Sequence, residues 1–127
     1  MGLRQNARSP NGSKWMMTMS PSVVEINVAL AGFADVEELS LGPRSPEGRY
    51  DLRIVLSDPK RNTVVLNCGD VSSLKIADFG GGLSQFLCLR AVDLRDRQLD
   101  KVMFHFSDEE RNAIEFDCGS AAIERRP

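Results

Sequence analysis

A cysteine nucleophile needs a base that turns it into a thiolate. This chain offers three cysteines, Cys68, Cys88 and Cys118, and a single histidine, His105. An odd cysteine count with no Cys-x-x-Cys spacing describes neither a disulfide framework nor a zinc site. Cys68 continues the alternating apolar series of Val64 and Leu66, and Cys118 continues that of Ile114 and Phe116. Both are read as buried thiols that pack as small hydrophobes. His105 alternates with Phe104 and Phe106, which turns it to the opposite strand face, towards solvent or a rim. No catalytic residue is assigned on this pattern, and the reading is of a protein that is not an enzyme. A thiol that labels rapidly at neutral pH would reverse it.

Other chemistries find little support. Gly80-Gly81-Gly82 has neither the lysine nor the helix start that a phosphate-cradling loop uses, and reads as a turn. The carboxylates gather in two places: Asp93, Asp96 and Asp100 in one stretch, and Glu109 with Glu110 beside Asp108. In the first, arginines alternate with the acids, which suits a solvated surface better than a metal cage or an acid/base pair. No metal and no cofactor is expected. Trp15 is the one tryptophan, and most phenylalanines fall in apolar strand positions, so an aromatic carbohydrate platform is not expected.

The elements that would hold these residues repeat. Shifted by fifty positions, the chain matches itself at Ser57/Ser107, Asp58/Asp108, Arg61/Arg111, Asn62/Asn112, Cys68/Cys118 and Gly69/Gly119. Leu52, Ile54 and Leu56 fall on Val102, Phe104 and Phe106, so the strand faces agree as well as the letters. The match extends to 22–69 over 72–119, a supersecondary unit used twice. Stretches 24–30, 50–56 and 101–106 place large apolar residues at every second position and are read as strands. The connectors 58–62 and 108–112 carry Asp and Asn, which bond the nearby backbone in turns. Only 95–99 has the look of a helical turn. The predicted fold is all-β: an antiparallel β-sandwich or flattened barrel of about eight strands, from two pseudo-symmetric four-stranded repeats. Its core should hold Ile26, Ile54, Leu56, Leu66, Ile76, Phe104, Phe106 and Phe116. Asn62 and Asn112 should close equivalent turns with a left-handed backbone.

Residues 1–21 stand apart as a polar stretch with Arg4, Arg8 and Lys14 and no acid, expected to lie outside the single β domain of 22–127. They carry no apolar block of a secretory signal. No apolar run reaches the ~20 residues of a membrane-spanning helix. A soluble cytoplasmic protein is the expectation. The whole chain has 16 Lys and Arg against 18 Asp and Glu, and removing the tail leaves 13 against 18, a net charge of −5. Such a domain is poorly suited to a phosphate backbone, so nucleic acid is not an expected partner. Acidic charge can instead steer a basic protein into contact.

Val71-Ser72-Ser73-Leu74-Lys75-Ile76 is followed by a Gly-rich turn, then by Ala91-Val92-Asp93-Leu94 and Arg95-Asp96-Arg97-Gln98-Leu99. The run from Phe106 through Glu110, and then from Ile114 to Cys118, completes a pattern over residues 50–120. This half resembles a group of small bacterial β proteins, some of them grouped as immunity proteins of polymorphic-toxin systems. The resemblance implies an inhibitor that binds and blocks a toxin or effector. A structural or adaptor domain without a toxin partner is the alternative from another class. For an inhibitor, the surface expected to meet a basic toxin domain comprises Asp93, Asp96, Asp100, Glu109 and Glu110. The loop and the tip should be too far apart to share the centre of one interface. The sequence leaves the oligomeric state open.

Overall fold

Three consecutive alternating stretches fold as a meander, and the chain makes that meander twice. The computed structural model describes residues 16–19, 21–43, 48–77, 81–82, 84–94 and 102–126. The first meander is β2 (Asp35–Pro43), β3 (Tyr50–Ser57) and β4 (Thr63–Gly69); the second is β6 (Leu89–Asp93), β7 (Phe104–Asp108) and β8 (Ile114–Cys118). After each meander the chain crosses to the other sheet. β5 (Ser72–Ile76) leaves β4 and pairs antiparallel with β8, while β9 (Ser120–Arg126) leaves β8 and pairs antiparallel with β4. The sheets are therefore β1-β9-β4-β3-β2 and β5-β8-β7-β6, where β1 is Met16–Met19, which pairs with β9 although the stretch 1–21 is expected from its sequence to lie outside the domain. They form a sandwich, and among the described residues neither closes into a barrel. The expected bounds shift: 22–69 holds three strands and 72–119 four, and the four-stranded unit begins instead at each meander, with three strands in one sheet and a fourth in the opposite sheet.

The crossovers require close approach. Gly119 N–H donates to the Gly69 carbonyl at 2.9 Å, so the two crossing points are bonded to each other. A Cβ on Gly69 would lie 2.6 Å from Ser120 Oγ, closer than side chains pack, and only glycine fits without displacement.

The residues matched by the fifty-residue shift line the space between the sheets. Ile54, Leu56, Val64, Leu66, Phe106, Ile114, Phe116 and Cys118 have no solvent access. The rings of Phe106 and Phe116 stack at 5.1 Å, and Phe104 meets Phe106 edge-on at 6.4 Å. Seven of the eight expected core residues are buried; Ile76 is 39% exposed. Ile76 ends β5, an edge strand of its sheet, where the neighbouring side chains that would cover it are missing on one side.

The stretch 24–30, expected as a strand, is the helix α1 (Val23–Leu30). Its spacing serves two periods, because Ile26, Ala29 and Leu30 also share one helical face and are the buried ones. The capping box decides the outcome. Ser22 Oγ accepts from Glu25 N–H at 3.1 Å, and Ser22 N–H donates to Glu25 Oε1 at 2.9 Å, satisfying two otherwise orphaned groups. α1 lies against the free side of β6, where Asn27 acts as a substitute strand. Its Nδ2 donates to the Ala91 carbonyl at 3.1 Å, and its Oδ1 accepts from Ala91 N–H at 2.8 Å. An edge that could recruit another strand is blunted in this way. The far edge, β2, is covered at its start by residues 84–86, through Val36 N–H to the Ser84 carbonyl and Phe86 N–H to the Ala34 carbonyl, both 2.9 Å. Among the described residues no helix is long and apolar enough to cross a membrane. The expected helical turn at 95–99 lies outside the described residues.

Truncating Phe116 to Ala is expected to cost about 3–5 kcal/mol of unfolding free energy. Ile76→Ala, at an exposed edge, should cost under about 1 kcal/mol. Urea denaturation of both variants checks the contrast.

Candidate functional site

The matched turns show which acids are already committed. Asp58 Oδ1 accepts from the N–H groups of Lys60 and Asn62, each at 2.9 Å, and Oδ2 accepts from Asn62 Nδ2 at 3.0 Å. Partial burial pushes this carboxyl up, but the Asn62 and Lys60 hydrogen bonds and the Lys60 charge outweigh it and hold it below its ordinary 3.8. Asp108 is fully buried. Its Oδ1 accepts from Cys88 N–H at 2.9 Å and Glu110 N–H at 3.2 Å, and its Oδ2 from Ala113 N–H at 3.3 Å. Both aspartates thus bond the N–H two residues on, as turn-forming side chains do. The turns then diverge. The left-handed residue of the second is Asn112, at φ 54°, as expected, but that of the first is Arg61, at φ 70°, not Asn62. The second turn holds one more residue between its aspartate and the return strand, since Asp58 reaches Asn62 where Asp108 reaches Ala113.

Glu109 and Glu110, which stand where the first turn has Pro59 and Lys60, form the exposed tip of this turn. Glu109 N–H donates to the Cys88 carbonyl at 2.9 Å, which pins the tip to the start of β6. Asp93 ends the same strand, where it pairs with Phe104. Four strand steps, at ~3.3 Å each, put Asp93 roughly 13 Å from the start of β6. Asp96 and Asp100 lie outside the described residues.

Sequence reasoning missed an apolar groove beside this tip. α1 supplies Val24 and Val28, one helical turn apart and 66% and 63% exposed, and the segment before β6 supplies Leu87, 43% exposed. Between them runs a shallow groove of about 540 Å³, floored by Phe33 and Leu89 and ending at Arg90. Arg90 Nε stands 3.9 Å from Glu109 Oε1, a loose contact between two half-exposed groups that contributes little by itself. Contiguous apolar surface edged by charge is the usual anatomy of a protein contact. The Ser-x-x-Glu signature at 22–25 could have revealed the helix, and with it the exposed Val24–Val28 ridge.

On the outer face of the β5-β8-β7-β6 sheet, the sequence reading missed the two carboxylates that flank His105. His105, expected to face outward, lies on this face between two carboxylates of β8: Nδ1 is 2.7 Å from Asp117 Oδ1 and Nε2 is 3.4 Å from Glu115 Oε2. Strand alternation and the His105–Asp117 pairing explain the placement. The buried thiols of Cys68 and Cys118 are in the interior, on the other side of the sheet, and cannot use His105 as a base. A further concavity of about 530 Å³ holds Asp35, Glu37 and Asp58. Each is engaged internally, Asp35 by Gln85 Nε2 at 2.7 Å and Glu37 by Ser57 Oγ at 2.6 Å. Among the described residues, no cluster of three His, Cys, Asp or Glu is arranged to hold a metal ion.

A β-sandwich with committed turn acids and an apolar groove rimmed by charge has the make-up of a protein-binding domain. The family model for Immunity protein PIM8 matches residues 23–124, from α1 into β9, and the chain belongs to that family. No curated protein and no solved structure matches it. Membership implies an immunity-type, protein-binding role.

The turns give a test of their own. Asp108→Ala takes the acceptor from the part-buried N–H groups of Cys88, Glu110 and Ala113 and should cost about 2–3 kcal/mol. Asp58→Ala should lower the thermal midpoint at pH 7. Because the folded carboxyl titrates below 3.8, its contribution is present above that pH and fades as pH falls through the folded value. The gap between wild type and Asp58→Ala should therefore close in acid, as thermal melts from pH 7 to pH 2.5 would show.

Proposed function

We propose that this protein neutralises a toxin by binding it and occluding the surface the toxin needs. The observation that carries this reading is the family match over residues 23–124, which includes every element that forms the groove and the tip. The partner is a toxin domain that sets apolar side chains into the groove between α1 and Leu87 and presents basic residues to Glu109 and Glu110. A domain of net charge −5 attracts such a partner over the ~10 Å reach of charge at moderate salt. A standard interface covers about 800 Å² per partner, enough for the groove and its rim together. Asp93 stands at the far end of β6, so it takes at most the periphery. The protein acts by contact alone and has no catalytic step. Its place of action is the cytoplasm, where a producing cell would need protection before the toxin is exported.

The two parts of the surface should fail differently. Val28→Asp puts a charge where the partner needs an apolar contact, and should weaken binding at least ~30-fold, chiefly through faster dissociation. Glu110→Gln should slow association at low salt and flatten its salt dependence, with dissociation little changed. Both side chains are exposed, so circular dichroism should match wild type. The measurement is surface-immobilised binding kinetics against the toxin domain encoded beside this gene. Unchanged kinetics in both variants would place the interface elsewhere. A locus with no toxin, together with no growth protection in cells expressing neighbouring candidates, would favour an adaptor instead.

A further inference from the structure

The two repeats bring their cysteines together. Cys68 ends the buried run of β4 and Cys118 that of β8, each followed by the glycine at which the chain changes sheets. The Gly119 N–H to Gly69 carbonyl bond, 2.9 Å long, ties the two crossing points directly. Both side chains belong to the same core, at 2% and 0% exposure, and Cys118 lies close enough to act on the Cys68 thiol. Cys88, the third cysteine, is half-buried before β6.

We propose that Cys68 and Cys118 are a cross-sheet disulfide site, closed by thiol–disulfide exchange with a low-molecular-weight disulfide while the chain is folding. The Gly119–Gly69 bond holds the backbone one residue beyond each cysteine side by side where the two sheets meet, and closing a disulfide would bring the two Cα atoms to about 4.4–6.8 Å. The thiolate of Cys68 attacks one sulfur of the small disulfide, forming a mixed disulfide and expelling a small thiolate. The thiolate of Cys118 then attacks the Cys68 sulfur, closing the Cys68–Cys118 bond and expelling the second. The two cysteines are oxidised, the small disulfide is reduced to two thiols, and the cysteine protons pass to the departing thiolates. In the folded protein, burial pushes the Cys68 thiol well up, with the adjoining Cys118 and the Asp51 charge adding to it. The thiolate needed for attack is therefore scarce once the core has closed. The same sequence folds with free thiols in a reducing environment and acquires a fifty-residue cross-link in an oxidising one.

The test is refolding of the denatured, reduced full chain in oxidised glutathione, compared with refolding in reduced glutathione. Non-reducing peptide mapping should join the Cys68 peptide to the Cys118 peptide and leave Cys88 unlinked. The thermal midpoint of the linked protein should rise by about 10 °C. Native protein given oxidised glutathione without denaturant should keep both core thiols over the same period. Cys88→Ala should leave the link intact, and Cys118→Ala should abolish both link and midpoint gain. Should Cys118→Ala fail to fold, the wild-type peptide map decides. Glutathione attached separately to Cys68 and Cys118, a link through Cys88, or a linked form that melts below the reduced one would each overturn the proposal.

Discussion

The carboxylate of Asp108, fully shut off from water, is the constraint on which this end of the molecule depends. A buried polar side chain is tolerated only when hydrogen bonds replace its lost solvent. Here they come from Cys88, Glu110 and Ala113, so a single side chain joins the start of β6 to both sides of the β7–β8 turn. Because Cys88 is held there, Leu87 is presented outward opposite α1. Because Glu110 is held there, the tip stands at the rim of the groove and not over it. Its counterpart Asp58 bonds only to Lys60 and Asn62 of its own turn.

The crossover between sheets is the second organising feature. Each three-strand meander has one apolar face, and neither could bury it alone. Sending the fourth strand of each repeat to the opposite sheet makes the two halves mutually dependent. The price is a tight passage at Gly69, bonded to Gly119, with Cys68 and Cys118 as small apolar side chains just inside it. The repeated residues are thereby accounted for by folding: stacked Phe106 and Phe116 between the sheets, glycines at the crossing, aspartates in the turns. The proposed recognition surface uses what is not repeated, α1 and the glutamates of the second turn.

Much of this was legible in the sequence. Alternation of Leu52, Ile54 and Leu56, and of Phe104 and Phe106, revealed strands, faces and burial, because a pleated strand leaves no other way to hide large side chains. The polarity of His105 among phenylalanines placed it outside for the same reason. Val24, Ile26, Val28 and Leu30 misled because their spacing fits period two as well as a helical face. Only the cap at Ser22 and Glu25 separates the readings. Arg61 was passed over as the left-handed residue because Asn tolerates that conformation better, while turn length, not propensity, decided the position. Ile76 carries a core residue type at an edge. The groove was not legible, since its walls are about sixty residues apart in the chain and meet through Asn27 and Ala91. Nor does periodicity reveal which sheet a strand joins, so the exchange of β5 and β9 emerges only in three dimensions.

The central claim is that the α1 groove and the adjoining glutamate tip form the toxin-binding surface. Amide hydrogen exchange of the protein, alone and saturated with the toxin domain encoded beside it, measures this directly. Slower exchange concentrated in α1, in residues 84–90 and in the 109–113 turn is the predicted result. Protection confined to the outer face of the sheet that contains β2, β3 and β4, with α1 and the turn exchanging as in the free protein, would contradict it.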